Sequence, residues 1–282
     1  SSLNNLGILY WDLGDYKAAV PYLKQTLEIR KKALGVENLE YASSLDNLGL
    51  LYLAMGDYKV AEPYLKQTLE IRKKALGEEN PEYAYSLNNL GNLFSDLGDY
   101  KSAEPYYKKA LEIKKKALGE EDPVYAGSLN NLGLLYLAIG DYKTAEPYLK
   151  QTLEIRKKIL GEEHPDYASS LNNLSILHME MGDYKAVESY FQQALEIQKK
   201  ALGEEHPDYA ITLNNLGSLY HEMLDYEAAI FYYNKADKIF KQTLGEEHPD
   251  YATTLNNLGA LYHEMGDYKA AEPYYLETID IR

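Results

Sequence analysis

Six histidines are the residues best suited to acid–base or metal chemistry, and their positions decide their use. His164, His206 and His248 each stand directly before a proline, where a side-chain acceptor caps the helix that follows. His178 occupies a place that holds tyrosine in other stretches. His221-Glu222 and His263-Glu264 lie forty-two residues apart, and neither extends to His-Glu-x-x-His. A zinc site needs three or four convergent ligands, and the chain has no cysteine, so neither metal nor cofactor is expected. Serines cluster at helix starts such as Ser43-Ser44 and Ser169-Ser170, and there is no Gly-x-Ser-x-Gly or phosphate-cradling loop. Carboxylate pairs such as Glu162-Glu163 recur from loop to loop as solvated charges rather than as one catalytic pair. The chain is not expected to be an enzyme; a metalloenzyme or hydrolase is the remotest reading.

The elements that position these residues come from one repeated stretch. A 42-residue register gives copies 1-42, 43-84, 85-126, 127-168, 169-210 and 211-252, with a truncated seventh at 253-282. The copies starting at Ser43 and Gly127 differ at seven positions only, and a fixed period of this length signals a stacked solenoid. Leu45, Leu48, Gly49, Tyr52 and Met55 keep helical spacing on a first helix, and Ala61, Leu65, Thr68 and Leu69 on a second. Gly56 ends the first and Asp57 caps the second. Asn80 with Pro81 opens the next pair, predicting helices near Pro81 to Leu97 and Tyr100 to Leu118. Pro21, Pro63, Pro105, Pro147 and Pro273 fall inside second helices and are expected to bend them.

The order Leu45, Leu48-Gly49, Tyr52, Gly56, Tyr58, Ala61 resembles the tetratricopeptide repeat. The 42-residue length, Leu129 to Leu132, Ala145 to Pro147, Leu153 to Arg156 and Leu160 to Asp166 resemble its kinesin-light-chain type, over the whole chain. The resemblance implies an all-α fold, an alpha-solenoid in which seven antiparallel helix pairs wind as a right-handed superhelix in one domain, 1-282. It also implies a protein-interaction scaffold whose first helices line a concave groove that binds extended peptides, with asparagines bonding the peptide backbone.

Variation between copies marks that face. Leu50, Asn92, Leu134, Ile176 and Ser218 share one side of the first helix with Leu53, Leu137, Met179, His221 and His263, and with Glu222 and Glu264. Asn88, Asn130, Asn172, Asn214 and Asn256 lie one turn earlier. Each belongs to an Asn-Asn pair whose adjacent side chains diverge by about 100°, so one member of each pair can serve the groove and the other a ladder between repeats. An apolar and acidic wall favours an apolar segment with neutral or basic flanks. It lacks the Lys/Arg clamp of chaperone-binding relatives and the basic groove residues with which kinesin light chains bind tryptophan-acidic peptides.

Net charge is −15, and every lysine and arginine falls on a second helix or its continuation. Nucleic acid, which requires a basic stripe, is excluded as a partner. No run approaches the roughly eighteen apolar residues of a membrane span, so no membrane is expected, and the absence of cysteine fits a reducing compartment, with the cytoplasm as the expected location. Recurring tyrosines such as Tyr58 and Tyr64 suit a half-buried seam. Neither end carries a polar cap, which predicts a longer array and end-to-end self-association. The main alternative function is a self-assembling or regulatory sensor region of a larger signalling protein. In the sixth copy Leu224 replaces the turn glycine, while Ile230, Phe231 and Phe240 put apolar groups on a normally polar edge, a candidate second contact patch.

Overall fold

Local chemistry sets the helix ends. Asp57 accepts the Val60 N–H at the start of one helix, and Asn80 accepts the Glu82 N–H at the start of the next, with Pro81 in the first turn. Gly56, at φ 72°, turns into the first of these helices, and Gly77, at φ 84°, ends it. Repetition of these caps divides the chain into fourteen helices in the computed structural model, which describes residues 2–281, and no strand occurs among the described residues.

Two compact units divide at the Gly140-Asp141 turn. The first holds α1 (Ser2–Asp12), α2 (Tyr16–Leu34), α3 (Leu39–Ala54), α4 (Tyr58–Leu76), α5 (Pro81–Asp96), α6 (Tyr100–Leu118) and α7 (Pro123–Ile139). The second holds α8 (Tyr142–Leu160), α9 (Pro165–Glu180), α10 (Tyr184–Ala201), α11 (Pro207–Glu222), α12 (Tyr226–Thr243), α13 (Pro249–Glu264) and α14 (Tyr268–Ile281). Within each unit, first and second helices pack as pairs, and each second helix also packs on the first helix that follows it. Leu45, Leu48, Leu51, Leu65, Leu90 and Leu93 are fully buried by this arrangement. The helices that contain Pro21, Pro63, Pro105, Pro147 and Pro273 run on through them.

A polar column locks four of the second helices to the next first helix. Arg30 donates to the Ser44 hydroxyl at 2.8 Å, Arg72 to Ser86 at 2.8 Å and Arg156 to Ser170 at 2.9 Å. Arg72 is buried and also donates to Asp46 at 3.0 Å. Further along the column Gln198 accepts from Thr212 at 2.7 Å. Phe240 takes the next place and corrects the contact-patch expectation: it is 2% exposed, among Tyr209, Leu213, Ala236, Tyr251 and Leu255. An apolar ring replaces the polar lock there, and only Phe231 of the expected patch is well exposed, with Ile230 half-buried.

The column's third place holds Lys114, buried with its ammonium 4.5 Å from the centre of the Tyr85 ring. Burial pulls its pKa down to about 8, against about 10.4 for an unfolded lysine. Between roughly pH 8 and pH 10 the unfolded chain retains a proton that the folded chain has released, so this residue's contribution rises with pH. Lys114→Met should therefore be more stable at pH 7, by about 1–3 kcal/mol, and its advantage should shrink by pH 9.5. Urea unfolding at both pH values checks this. A pH-independent difference would contradict a buried ammonium.

At the turn between α11 and α12, Leu224 has φ 61°, the sole non-glycine with positive φ among the described residues. Six other repeats place glycine there, at φ 72° to 81°. Side chains are crowded in this conformation by about 1–2 kcal/mol, partly offset because leucine restricts the unfolded chain more than glycine does. Leu224→Gly is expected to stabilise the protein by up to about 1 kcal/mol in chemical denaturation. A lowered midpoint would show that the leucine is held by contacts.

Candidate functional site

The asparagine pairs divide their work. Asn88 and Asn172, expected on the open face, are 7% and 5% exposed. Asn88 donates to the Ser128 hydroxyl at 3.2 Å and Asn172 to the Thr212 hydroxyl at 2.5 Å, each on the first helix of the next repeat. Asn214 accepts from Thr254 at 3.2 Å in the same relation. The helix angle that separates neighbouring side chains aims the first member of these pairs into the seam. Asn130 and Asn256 are half-buried.

In the pairs that begin at Asn88 and Asn172 the second member stands nearer solvent. Asn89 donates to Asp46 at 2.9 Å, Asn257 to Asn214 at 3.2 Å and Asn47 to Asn4 at 3.4 Å. All three are half-buried, and each of these bonds uses one amide hydrogen. An amide held this way keeps a carbonyl and a second N–H with which to meet a peptide backbone. A sequence signal existed for the division: a hydroxyl recurs at Ser44, Ser86, Ser128, Ser170, Thr212 and Thr254, forty residues after each first member from Asn4 to Asn214, with Asp46 in the second place.

Of the variable stripe, Leu50 and Leu53 in the first unit are half-buried against the core, and Leu134 and Leu137 on α7 are half-buried too. Asn92 is spoken for: the buried Tyr107 donates to its side-chain oxygen at 2.8 Å. Tyr233 donates likewise to Ser218 at 3.1 Å in the second unit. Variation at this place therefore follows the residue packed beneath it. Burial pushes the Tyr107 phenol up to about 12, which keeps it a neutral donor. Ile176 and Met179 are half-buried over Val187, Phe191, Leu216 and Leu219.

Charge on the first helices is acidic. Burial raises the pKa of Asp96. Glu222, Glu264 and His263 are exposed, and His221 Nε2 meets Glu264 Oε2 at 2.8 Å across α11 and α13. Tyr142 donates to Glu180 at 3.1 Å. The three histidines before prolines cap helices as expected, their Nδ1 atoms accepting the N–H groups of Asp166, Asp208 and Asp250 at 3.1, 3.1 and 3.2 Å. No group of three metal-binding side chains converges among the described residues, and no described helix is long and apolar enough to cross a membrane.

The sequence matches the family described as Tetratricopeptide repeat over residues 1–74, 54–116, 124–200, 176–242 and 238–282. Among solved structures, BtubC (BKLC) from P. vanneervenii is 25% identical with a TM-score of 0.60, covering 80% of this chain and 89% of that one. A putative kinesin light chain from Podosopora anserina with nearly identical TPR-like repeats is 26% identical with a TM-score of 0.58, over 71% and 95%. The Rap conjugation gene regulator of the plasmid pLS20, in complex with the Phr* peptide, shares the fold at 17% identity and a TM-score of 0.75, over 98% and 71%. No curated protein sequence matches the chain.

Thr212→Val keeps the side-chain shape but removes the hydroxyl between Asn172 and Gln198, leaving two buried polar groups unpaired. Stability should fall by about 1–3 kcal/mol in urea unfolding. A change below a few tenths of a kcal/mol would remove the seam role.

Proposed function

Because the chain belongs to the tetratricopeptide repeat family, we propose that residues 1–282 form one repeat domain that binds an extended segment of a partner protein along its first helices. The carrying observation is the second asparagine of the pair, half-buried and tethered by one N–H, which at Asn47 shares its helix with half-buried Leu50 and Leu53. Apolar anchors contribute burial, amides satisfy the peptide's backbone, and carboxylates at Glu222 and Glu264 select neutral or basic flanks. The likeness to the Rap regulator is one of fold, and its complex with the Phr* peptide gives this reading a precedent in that fold.

Asn89→Ala tests the amides, since Asn172 belongs to the seam. With a peptide selected from a library on this chain, Leu137→Asp should weaken binding at least tenfold by putting an unpaired charge against the ligand. Asn89→Ala should cost several-fold, and Glu222→Lys with Glu264→Lys should weaken a basic peptide while sparing a neutral one. Lys157→Glu, whose native ammonium pairs with Glu162 at 2.6 Å, serves as the control away from the first helices. Binding lost in that control but kept in the Leu137 and Asn89 variants would place the ligand elsewhere.

A further inference from the structure

The ends of the first helices carry exposed apolar side chains that the peptide face does not use. In the second unit Met181, Met223 and Met265 cap α9, α11 and α13, and are 49%, 49% and 45% exposed. Leu224, beside Met223, is 68% exposed and sits in the one strained non-glycine conformation among the described residues. Burial does not account for that leucine, and six other repeats put glycine in its place. The same repeat changes a second time nearby: Glu227 stands where six other repeats hold lysine. Acidic residues border each apolar group, Glu180, Glu222 and Glu264 before it and Asp183, Asp225 and Asp267 after it, all exposed.

We propose that this row, with Leu224 as its central knob, is a docking surface for an amphipathic helix of a partner protein that carries lysine or arginine beside its apolar stripe. Charge complementarity selects the flanks: six carboxylates border the row, and the sixth repeat adds Glu227 where others hold a cation. Spacing selects the helix. Neighbouring first helices that touch lie about 10 Å apart, and seven residues of α-helix rise about 10.5 Å, so apolar groups at every seventh position meet successive knobs. An extended chain covers that step in about three residues, which turns alternate side chains away. Methionine's flexible thioether adapts to such partners. The row shares Glu222 and Glu264 with the peptide face proposed above, but its apolar knobs, Leu224 and the three methionines, do not belong to that face.

The probe is a synthetic three-heptad helical peptide with leucine at each seventh position and lysine beside it, titrated by fluorescence anisotropy against the full chain. Leu224→Gly should weaken binding about tenfold while the fold becomes no less stable, since one buried leucine is lost. Glu227→Lys should weaken it several-fold at low salt and little at 0.5 M. A glutamate-flanked peptide should bind much more weakly, and Leu137→Asp, in the first unit, should change nothing. Failure of the lysine-flanked peptide to bind, or equal affinity for Leu224→Gly, would overturn the proposal. So would self-association of the chain that Leu224→Gly abolishes while the peptide stays unbound, because the occupant would then be a second copy.

Discussion

In the pairs α1–α2, α3–α4, α5–α6, α11–α12 and α13–α14 a side chain of the second helix lies on a glycine of the first, and the packing of these pairs depends on this contact; α9 carries Ser175 at the same place. A Cβ built on Gly49 would stand 2.6 Å from Leu65, on Gly91 2.6 Å from Tyr107, and on Gly217 2.5 Å from Tyr233. No substituent fits at such distances without moving the partner. In these pairs the two helices thereby reach close approach at one level, which fixes the rotation of the first helix and hence the residues it turns outward. Where tyrosine replaces leucine in the contact, its hydroxyl reaches Asn92 or Ser218, so a change in the seam appears as a change on the face above it.

Helix ends were the most legible part of the sequence because caps are local chemistry. The expected pair at Pro81 to Leu97 and Tyr100 to Leu118 is observed as α5 and α6, ending at Asp96 and Leu118. Leu224 was legible for the same reason: a turn that uses glycine elsewhere does not change shape for one leucine. Buried charge was not legible. Arg72 belongs to a column of Arg, Lys and Gln that reads as a solvated edge, yet it is enclosed because Ser86 and Asp46 satisfy its guanidinium. Phe240 fills a place in that column, so it reads as an apolar intruder on a surface although the place is interior.

The candidate face was half legible. Period alone put the asparagines and the variable residues on neighbouring sides of the first helix, but it left a choice between Asn88 and Asn89 that depends on where the next helix lies. Only contact with the following repeat, through Ser128, settles which amide is enclosed. The exposed methionines were passed over because a helix-terminal apolar residue reads as an ordinary core position. Their exposure follows from the turn, which carries the side chain past the last neighbour able to cover it.

The junctions also bear on how such a gene can change. Near-identical stretches invite recombination between copies, and most junctions would accept a lost or gained repeat because each presents the same serine or threonine and the same small seam. The second repeat is different. Asp46 there takes Arg72 from its own second helix and Asn89 from the next repeat, a three-way arrangement that one copy cannot supply alone. Moving that copy beside one with lysine, glutamine or phenylalanine in the column does not disturb Arg72, but placing Asp46 in a repeat without an arginine would enclose an uncompensated carboxylate. Copy number is therefore freer to drift than copy sequence, and aspartate at this place requires an arginine within its own repeat.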